Sequence, residues 1–180
     1  STSNGVSKLR VQPVDAGDTC IYFPAVKETS GLRFHIHAPF ASTVARDSVR
    51  DDPGNAELVA AIGALIVREL PVLRDQGLLD DGLLSALPNI DDVLVTPYDS
   101  IREAIYAAFN DLELTPVFGG GAYARGSELF LSPTEFRSGL DPSDLEPLLA
   151  LSDFGLTTNP RWISPRSGRA GQFLKGVNTR

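Results

Sequence analysis

Apolar residues recur at two different periods along the chain, and the change falls near residue 55. Before it, Thr19-Cys-Ile-Tyr-Phe23 and Leu32-Arg-Phe-His-Ile-His-Ala38 are β-rich runs separated by the polar, Gly-terminated stretch Lys27–Gly31. Such a pair predicts a β-hairpin. In the second run Leu32, Phe34, Ile36 and Ala38 fall on one face and Arg33, His35 and His37 on the other, the alternation of a half-buried strand.

From Ala56 the period becomes helical. Val59, Ile62, Ile66, Leu70 and Leu73 form one stripe, with Glu57, Arg68, Arg74 and Asp75 mostly off it. Pro71 should kink or end this helix and Gly77 close it. The run Asp51–Asn55 before it reads as a linker. Thr96-Pro-Tyr-Asp99 announces a second helix, with Thr as cap and Pro in the first helical position. Its stripe is Ile101, Ile105, Ala108, Phe109 and Leu112. Ser132-Pro-Thr-Glu135 and Asp141-Pro-Ser-Asp144 repeat the start signal. Between these helices, Leu114 to Leu131 reads as short strands around the loop Phe118–Gly126. The layout is β-rich first, then helical, then a smaller α+β piece, with a boundary expected within residues 88–97.

Composition narrows the function class. At 42% hydrophobic and 22% charged residues, the 180-residue chain can bury a core and is not a disordered sequence. The formal net charge of −7 disfavours non-specific binding to phosphate backbones, so nucleic acid is not an expected partner. The bases near the end (Arg161, Arg166, Arg169, Lys175, Arg180) read as a solvated tail. Cys20 is the only cysteine, which excludes an intrachain disulfide and points to a reducing, cytoplasmic setting. No leader pattern is visible, and no apolar run reaches the roughly 18 residues that span a bilayer, so no membrane partner is expected. The opening Ser-Thr-Ser-Asn-Gly and the absence of any Met suggest an internal segment of a longer polypeptide.

Stand-alone chemistry is sparse. His35 and His37 share a strand face, a spacing some zinc sites use, but they are the only two histidines and a zinc site needs further ligands. Cys20, Asp47 and Asp51 are available without any spacing that demands them. Two solvent-side histidines are the better account, and no metal ligand is assigned. Gly119-Gly-Gly121 lacks a following Gly-Lys-Ser/Thr, and reads as a tight hairpin loop rather than a phosphate cradle. No serine stands in a Gly-x-Ser-x-Gly context. Arg46 and Arg50 differ from these. They lie in the polar loop Ser42–Arg50 between the last strand and the long helix, where an arginine could reach an anion on a neighbouring domain. A solvated surface arginine is the competing account.

Cys20-Ile-Tyr-Phe-Pro24, then Thr29-Ser-Gly-Leu-Arg-Phe-His-Ile-His-Ala-Pro-Phe40, then Arg46, resembles sacsin and its bacterial relatives. Glu57 to Leu73 is similar to the helix that follows that group's arginine loop. Leu114-Thr-Pro-Val-Phe-Gly-Gly-Gly-Ala-Tyr123 and Glu128-Leu-Phe-Leu-Ser-Pro133 resemble its later Gly-rich module, so the likeness spans about residues 18–135. It implies an α+β, two-layer fold. Residues 1–90 would form a transducer-like β-sheet with a long crossover helix, ribosomal S5 domain 2-like, and residues 91–180 a smaller α+β C-terminal piece. It also implies a position behind a GHKL-type ATPase domain, the type shared with ninety-kilodalton heat-shock chaperones, whose own Glu/Asn helix and Asp-x-Gly-x-Gly motif are not in this sequence. ATP and magnesium would then belong to the parent protein, with no cofactor held by this segment. Val44-Ala-Arg-Asp-Ser48 stands where the chaperone loop sends an arginine to the γ-phosphate. Arg46 is therefore the residue carried over, with Arg50 as the alternative; Ala45 in place of a serine and the Asp51–Asn55 run depart from the pattern.

The resemblance makes this chain a middle, coupling segment of a sacsin-like ATP-dependent chaperone-type protein. Its partners would be the upstream ATPase domain and client proteins, and it would not be an enzyme by itself. A non-catalytic interaction scaffold is the alternative, and a His-x-His metal-dependent hydrolase the third reading.

Overall fold

The computed structural model describes residues 9–131 and 161–177, together with Gly139, Ser143, Asp144 and Pro147. The helix-start motif at 132–135, Asp141 and Pro142 of the next one, and Arg180 lie outside the described residues.

The fold mixes helices with very short strands. In chain order come β1 (Thr19–Cys20), β2 (Ile36–His37), α1 (Pro53–Asp75), α2 (Asp81–Ala86) and α3 (Asp99–Asp111). Then follow β3 (Thr115–Pro116), β4 (Tyr123–Ala124), β5 (Leu129–Phe130), β6 (Arg161–Trp162) and α4 (Gly168–Val177). The strands pair as β1–β2, β3–β4 and β5–β6, the first and last pairs parallel and the middle one antiparallel. This is an α+β architecture.

The expected first hairpin is not formed. Ile21 N–H donates to the Phe23 carbonyl (3.2 Å) and Ala25 N–H to that of Thr19 (2.9 Å), so the chain doubles back in a bulge right after β1. It then returns to run alongside β1 in the same direction, with Thr19 opposite Ile36. Gly17 N–H to the Leu32 carbonyl (2.8 Å) and Ala38 N–H to that of Cys20 (3.2 Å) extend this parallel alignment. The face alternation survives the change: Leu32 and Ile36 are buried, while His35 and His37 are exposed.

Helix α1 starts earlier than its apolar stripe. Asp52 caps it, its carboxylate accepting from Gly54 N–H at 2.9 Å with Pro53 in the first turn, so the expected linker is the helix start. Pro71 lies inside the helix, and Gly77, at φ 70°, follows its end. Helix α3 does the reverse. It begins at Asp99, beyond the expected Thr96–Pro97 cap, and Tyr98 at its start makes no side-chain capping bond.

One buried cluster joins elements on both sides of residue 90. Val59 and Leu70 of α1 belong to it with Ile101, Ile105 and Phe109 of α3 and Phe173 and Leu174 of α4. A Cβ added at Gly63 would lie 3.6 Å from the Ile101 Cα, so α1 and α3 pack closely there. Phe173 sits edge-on to Phe109 (4.9 Å between ring centroids) and stacks on Tyr106 (5.1 Å), each such pair adding about 1 kcal/mol beyond the area it buries. Arg169 of α4 grips Asp92 through both guanidinium nitrogens, at 2.8 and 2.6 Å. No helix among the described residues is long and apolar enough to cross a membrane.

Candidate functional site at the arginine loop

The loop between β2 and α1 is a compact reverse turn rather than an open polar connection. Ser42 and Val49 face each other as an antiparallel bridge. Inside it, Thr43 N–H donates to the Ser48 carbonyl (3.1 Å) and Arg46 N–H to that of Thr43 (3.0 Å). The Thr43 hydroxyl donates to the Asp47 carboxylate at 3.1 Å. Closing so tight a turn puts Arg46 at φ 56°, the left-handed region that residues bearing a Cβ seldom occupy.

Three neighbours hold the turn in place. Asn55, buried in the first turn of α1, accepts from Ala41 N–H (2.7 Å) and donates to the carbonyls of Ala41 (2.9 Å) and Arg50 (2.7 Å). Glu28 accepts from Val49 N–H with one carboxylate oxygen and from the Tyr98 hydroxyl with the other, both at 2.9 Å. Lys27 pairs with Asp47 at 2.6 Å, and its backbone N–H donates to the Asp47 carbonyl (2.8 Å). The Lys27 hydrogen bond, helped by that from Thr43, holds the Asp47 carboxyl below its ordinary range; the same contact raises Lys27.

The two candidate arginines part company on this frame. Arg50 donates to Asp52 at 2.9 Å, and the cap bond from Gly54 N–H together with Arg50 keeps the Asp52 carboxyl low. Arg50 lines a cleft of about 460 Å³ with Glu28, Asn55 and Tyr98. Arg46 lines a different one of about 380 Å³, which among the described residues is walled also by Ile21, Tyr22 and Phe23. It is exposed and forms no ion pair among the described residues. Of the two, Arg46 is the one without a carboxylate partner among the described residues.

The remaining candidates take structural places. His35 Nδ1 accepts from Asp18 N–H (3.0 Å), and His37 Nε2 lies 2.7 Å from the Ile21 carbonyl. Among the described residues no group of three or more His, Cys, Asp or Glu side chains is arranged to hold a metal ion. Gly119, Gly120 and Gly121 all have positive φ and close the hairpin in which Thr115 opposes Ala124, as their pattern predicts.

Sequence reasoning missed Glu28 and Asn55, which position the arginine loop. Asn55 was reachable, because Asp52-Pro53 carries the same cap signal recognised elsewhere in the chain. Glu28 carried none, since its partners Val49 and Tyr98 meet it only in three dimensions. The chain matches no protein-family model, no curated protein and no solved structure.

Proposed function

We propose that this chain is the middle, coupling segment of a sacsin-like ATP-dependent chaperone-type protein. It relays the nucleotide state of an upstream GHKL-type ATPase domain and donates Arg46 to the γ-phosphate of the ATP that domain holds with magnesium. The motif order from Cys20 to Pro133 supports the reading, as does a strand that leads through an arginine loop into a long helix. A transducer-like, ribosomal S5 domain 2-like sheet crossed by α1 is the finer fold this proposal carries.

One observation carries it furthest: Arg46 is held outward on a braced turn without an ion pair among the described residues, whereas Arg50 is committed to Asp52. A guanidinium presented in this way can donate two parallel hydrogen bonds to a terminal phosphate and stabilise the charge that develops as the bond to the leaving oxygen breaks. Bracing by Glu28, Asn55 and Lys27 holds the backbone of the loop that carries Arg46, which lowers the cost of bringing the guanidinium to a phosphate.

The test is ATP turnover by the parent polypeptide. Arg46→Ala should lower kcat by about 1000-fold or more, in line with arginines that complete phosphoryl-transfer sites, and Arg50→Ala should have a much smaller effect. Equal turnover in wild type and Arg46→Ala removes the catalytic part. The exposed Tyr22 and Phe23 favour the second reading, a non-catalytic interaction scaffold. On that account partner binding persists in a parent whose turnover neither arginine affects.

A further inference from the structure

Residues 9–13 lie against α1 and α2 with little to hold them. Leu9 to Pro13 make no hydrogen bond with any described residue, and the nearest backbone anchor is the bond from Val14 N–H to the Arg33 carbonyl (2.9 Å). Leu9, Arg10 and Gln12 are exposed, whereas Val11 is partly buried and packs on the apolar cluster. Gly82, in the first turn of α2, lets the segment come this close: a Cβ there would collide with the Val11 carbonyl oxygen. Ordering each residue of such a segment costs conformational entropy, and here the burial of Val11 offsets it without help from hydrogen bonds. A stretch held in that way belongs to the least stable part of a fold and opens before the rest.

What lies beneath Val11 gives the opening a consequence. An apolar groove runs between α1 and α2, walled by Leu65, Leu70, Leu73, Leu83 and Leu87, and about 230 Å³ of it stays unfilled beside Val11. Close-packed interiors do not leave such a space, which compares with about 30 Å³ for one water in the liquid. Val11 therefore stops only part of the groove. A second cleft of about 690 Å³ is lined by Arg10, Gln12, Asp81, Tyr123 and Arg166. Val11 lines both cavities, so this segment is part of the wall between them.

We propose that residues 9–13 are a strap that opens and closes over the α1–α2 groove while the rest of the domain stays folded. Closed, the strap seats Val11 in the groove as the chain's own plug. Open, it swings from its anchor at Val14, and the apolar groove and the larger cleft become one trough. Access to the groove is thus governed by a segment of the same chain. The device is independent of the arginine loop and of the function proposed above.

Gly82→Ala is the selective lever. Its Cβ displaces the Val11 carbonyl, whereas alanine suits a helix better than glycine and the nearby Asp80 carboxylate has only to shift a side chain. Val11→Ser removes the plug without touching α2. Trypsin cleavage after Arg10, read by mass spectrometry and normalised to the same variant in urea, reports the open fraction of the strap. It should rise about fivefold or more in both variants while far-UV circular dichroism stays unchanged. Fluorescence of the neutral apolar probe N-phenyl-1-naphthylamine should rise about threefold or more in both, since the groove is then free to take it. Leu65→Glu, at the exposed edge of the groove, should abolish that gain. Cleavage at the wild-type rate in both variants overturns the strap, as does cleavage in the wild type that requires the urea concentration of global unfolding. Faster cleavage with no gain in probe fluorescence, or a gain that survives Leu65→Glu, overturns its control of the groove. Should Gly82→Ala fail to fold, Val11→Ser decides the matter by the same two readings.

Discussion

Glu28 ties the arginine loop to α3, and its removal has a calculable cost. Its carboxylate joins two segments distant in sequence: Val49 at the end of the loop and Tyr98 at the start of α3. Each bond has a charged acceptor, worth about 1.5–3 kcal/mol against about 0.5–1.5 kcal/mol for a neutral one. In Glu28→Gln the amide NH2 replaces one accepting oxygen, so one bond is lost and the other weakened, a cost of about 2–3 kcal/mol. Tyr98 is 1% exposed, so a hydroxyl left without its acceptor there stays out of water and adds to the penalty. Tyr98→Phe should cost about 1–2 kcal/mol, and the double variant should show a coupling of about 1 kcal/mol because both changes remove the same bond. Urea unfolding followed by circular dichroism at neutral pH measures all three, provided the slope with denaturant is constant. Amide exchange of Val49 should accelerate while the middle of α1 stays protected. Additive single variants, or a Glu28→Gln variant as stable as wild type, would show that Glu28 does not brace the loop.

Three further outcomes follow from the same structure. Burial pushes the phenols of Tyr98 and Tyr106 up from 10.0 to about 12. The unfolded chain releases these protons first, so stability should hold below pH 10 and fall from there to pH 12, and Tyr98→Phe should flatten part of that fall in urea unfolding at stepped pH. Burial pushes the Asp92 carboxyl up, but the hydrogen bonds from Arg169 and from Asn89 N–H outweigh it and leave it below its ordinary value. The stability it contributes is present above about pH 4 and lost as the pH falls through the depressed value; Asp92→Asn should remove that acid-side loss, and Arg169→Ala should cost about 2 kcal/mol at pH 7 by stranding a half-buried carboxylate. Finally, Arg46→Gly relieves a left-handed backbone and should stabilise the chain by up to about 1 kcal/mol while removing the arginine's effect on turnover, a combination that differential scanning calorimetry and the ATPase assay check together.

Most of the apolar stripes of α1 and α3 is legible in the sequence because helical burial repeats locally: Val59, Leu70, Ile101, Ile105, Ala108 and Phe109 are buried where the period places them, Ile62, Ile66 and Leu73 are partly buried, and Leu112, just past the end of α3, is exposed. Helix starts are less so, and two similar signals show why. Asp52-Pro53 opens α1, where the Asp52 carboxylate reaches Gly54 N–H and Asn55 ties the first turn to Ala41 and Arg50. Thr96-Pro97 does not open α3: the Thr96 hydroxyl meets the Asp99 carboxylate at 3.5 Å instead of capping a backbone N–H, and the helix begins at Asp99. The first hairpin failed for a related reason. Alternation sets which face of Leu32–Ala38 is buried but is blind to strand direction, which the bonds Ile21 to Phe23 and Ala25 to Thr19 decide.

The same division runs through the candidate site. Their place in a polar loop before a helix brings Arg46 and Arg50 forward alike, and only the family resemblance prefers Arg46. What separates them is where the acids go. Asp52 must cap α1, which brings its carboxylate within reach of Arg50; Asp47 turns inward to Thr43 and out to Lys27, and so leaves Arg46 without a carboxylate partner among the described residues. The loop therefore neutralises one arginine as a by-product of starting a helix and presents the other as a consequence of closing a turn. A cation on a left-handed residue, flanked by exposed aromatics, is costly for an isolated surface and useful for one that meets a partner. That combination, more than sequence position, is what sets Arg46 apart from Arg50.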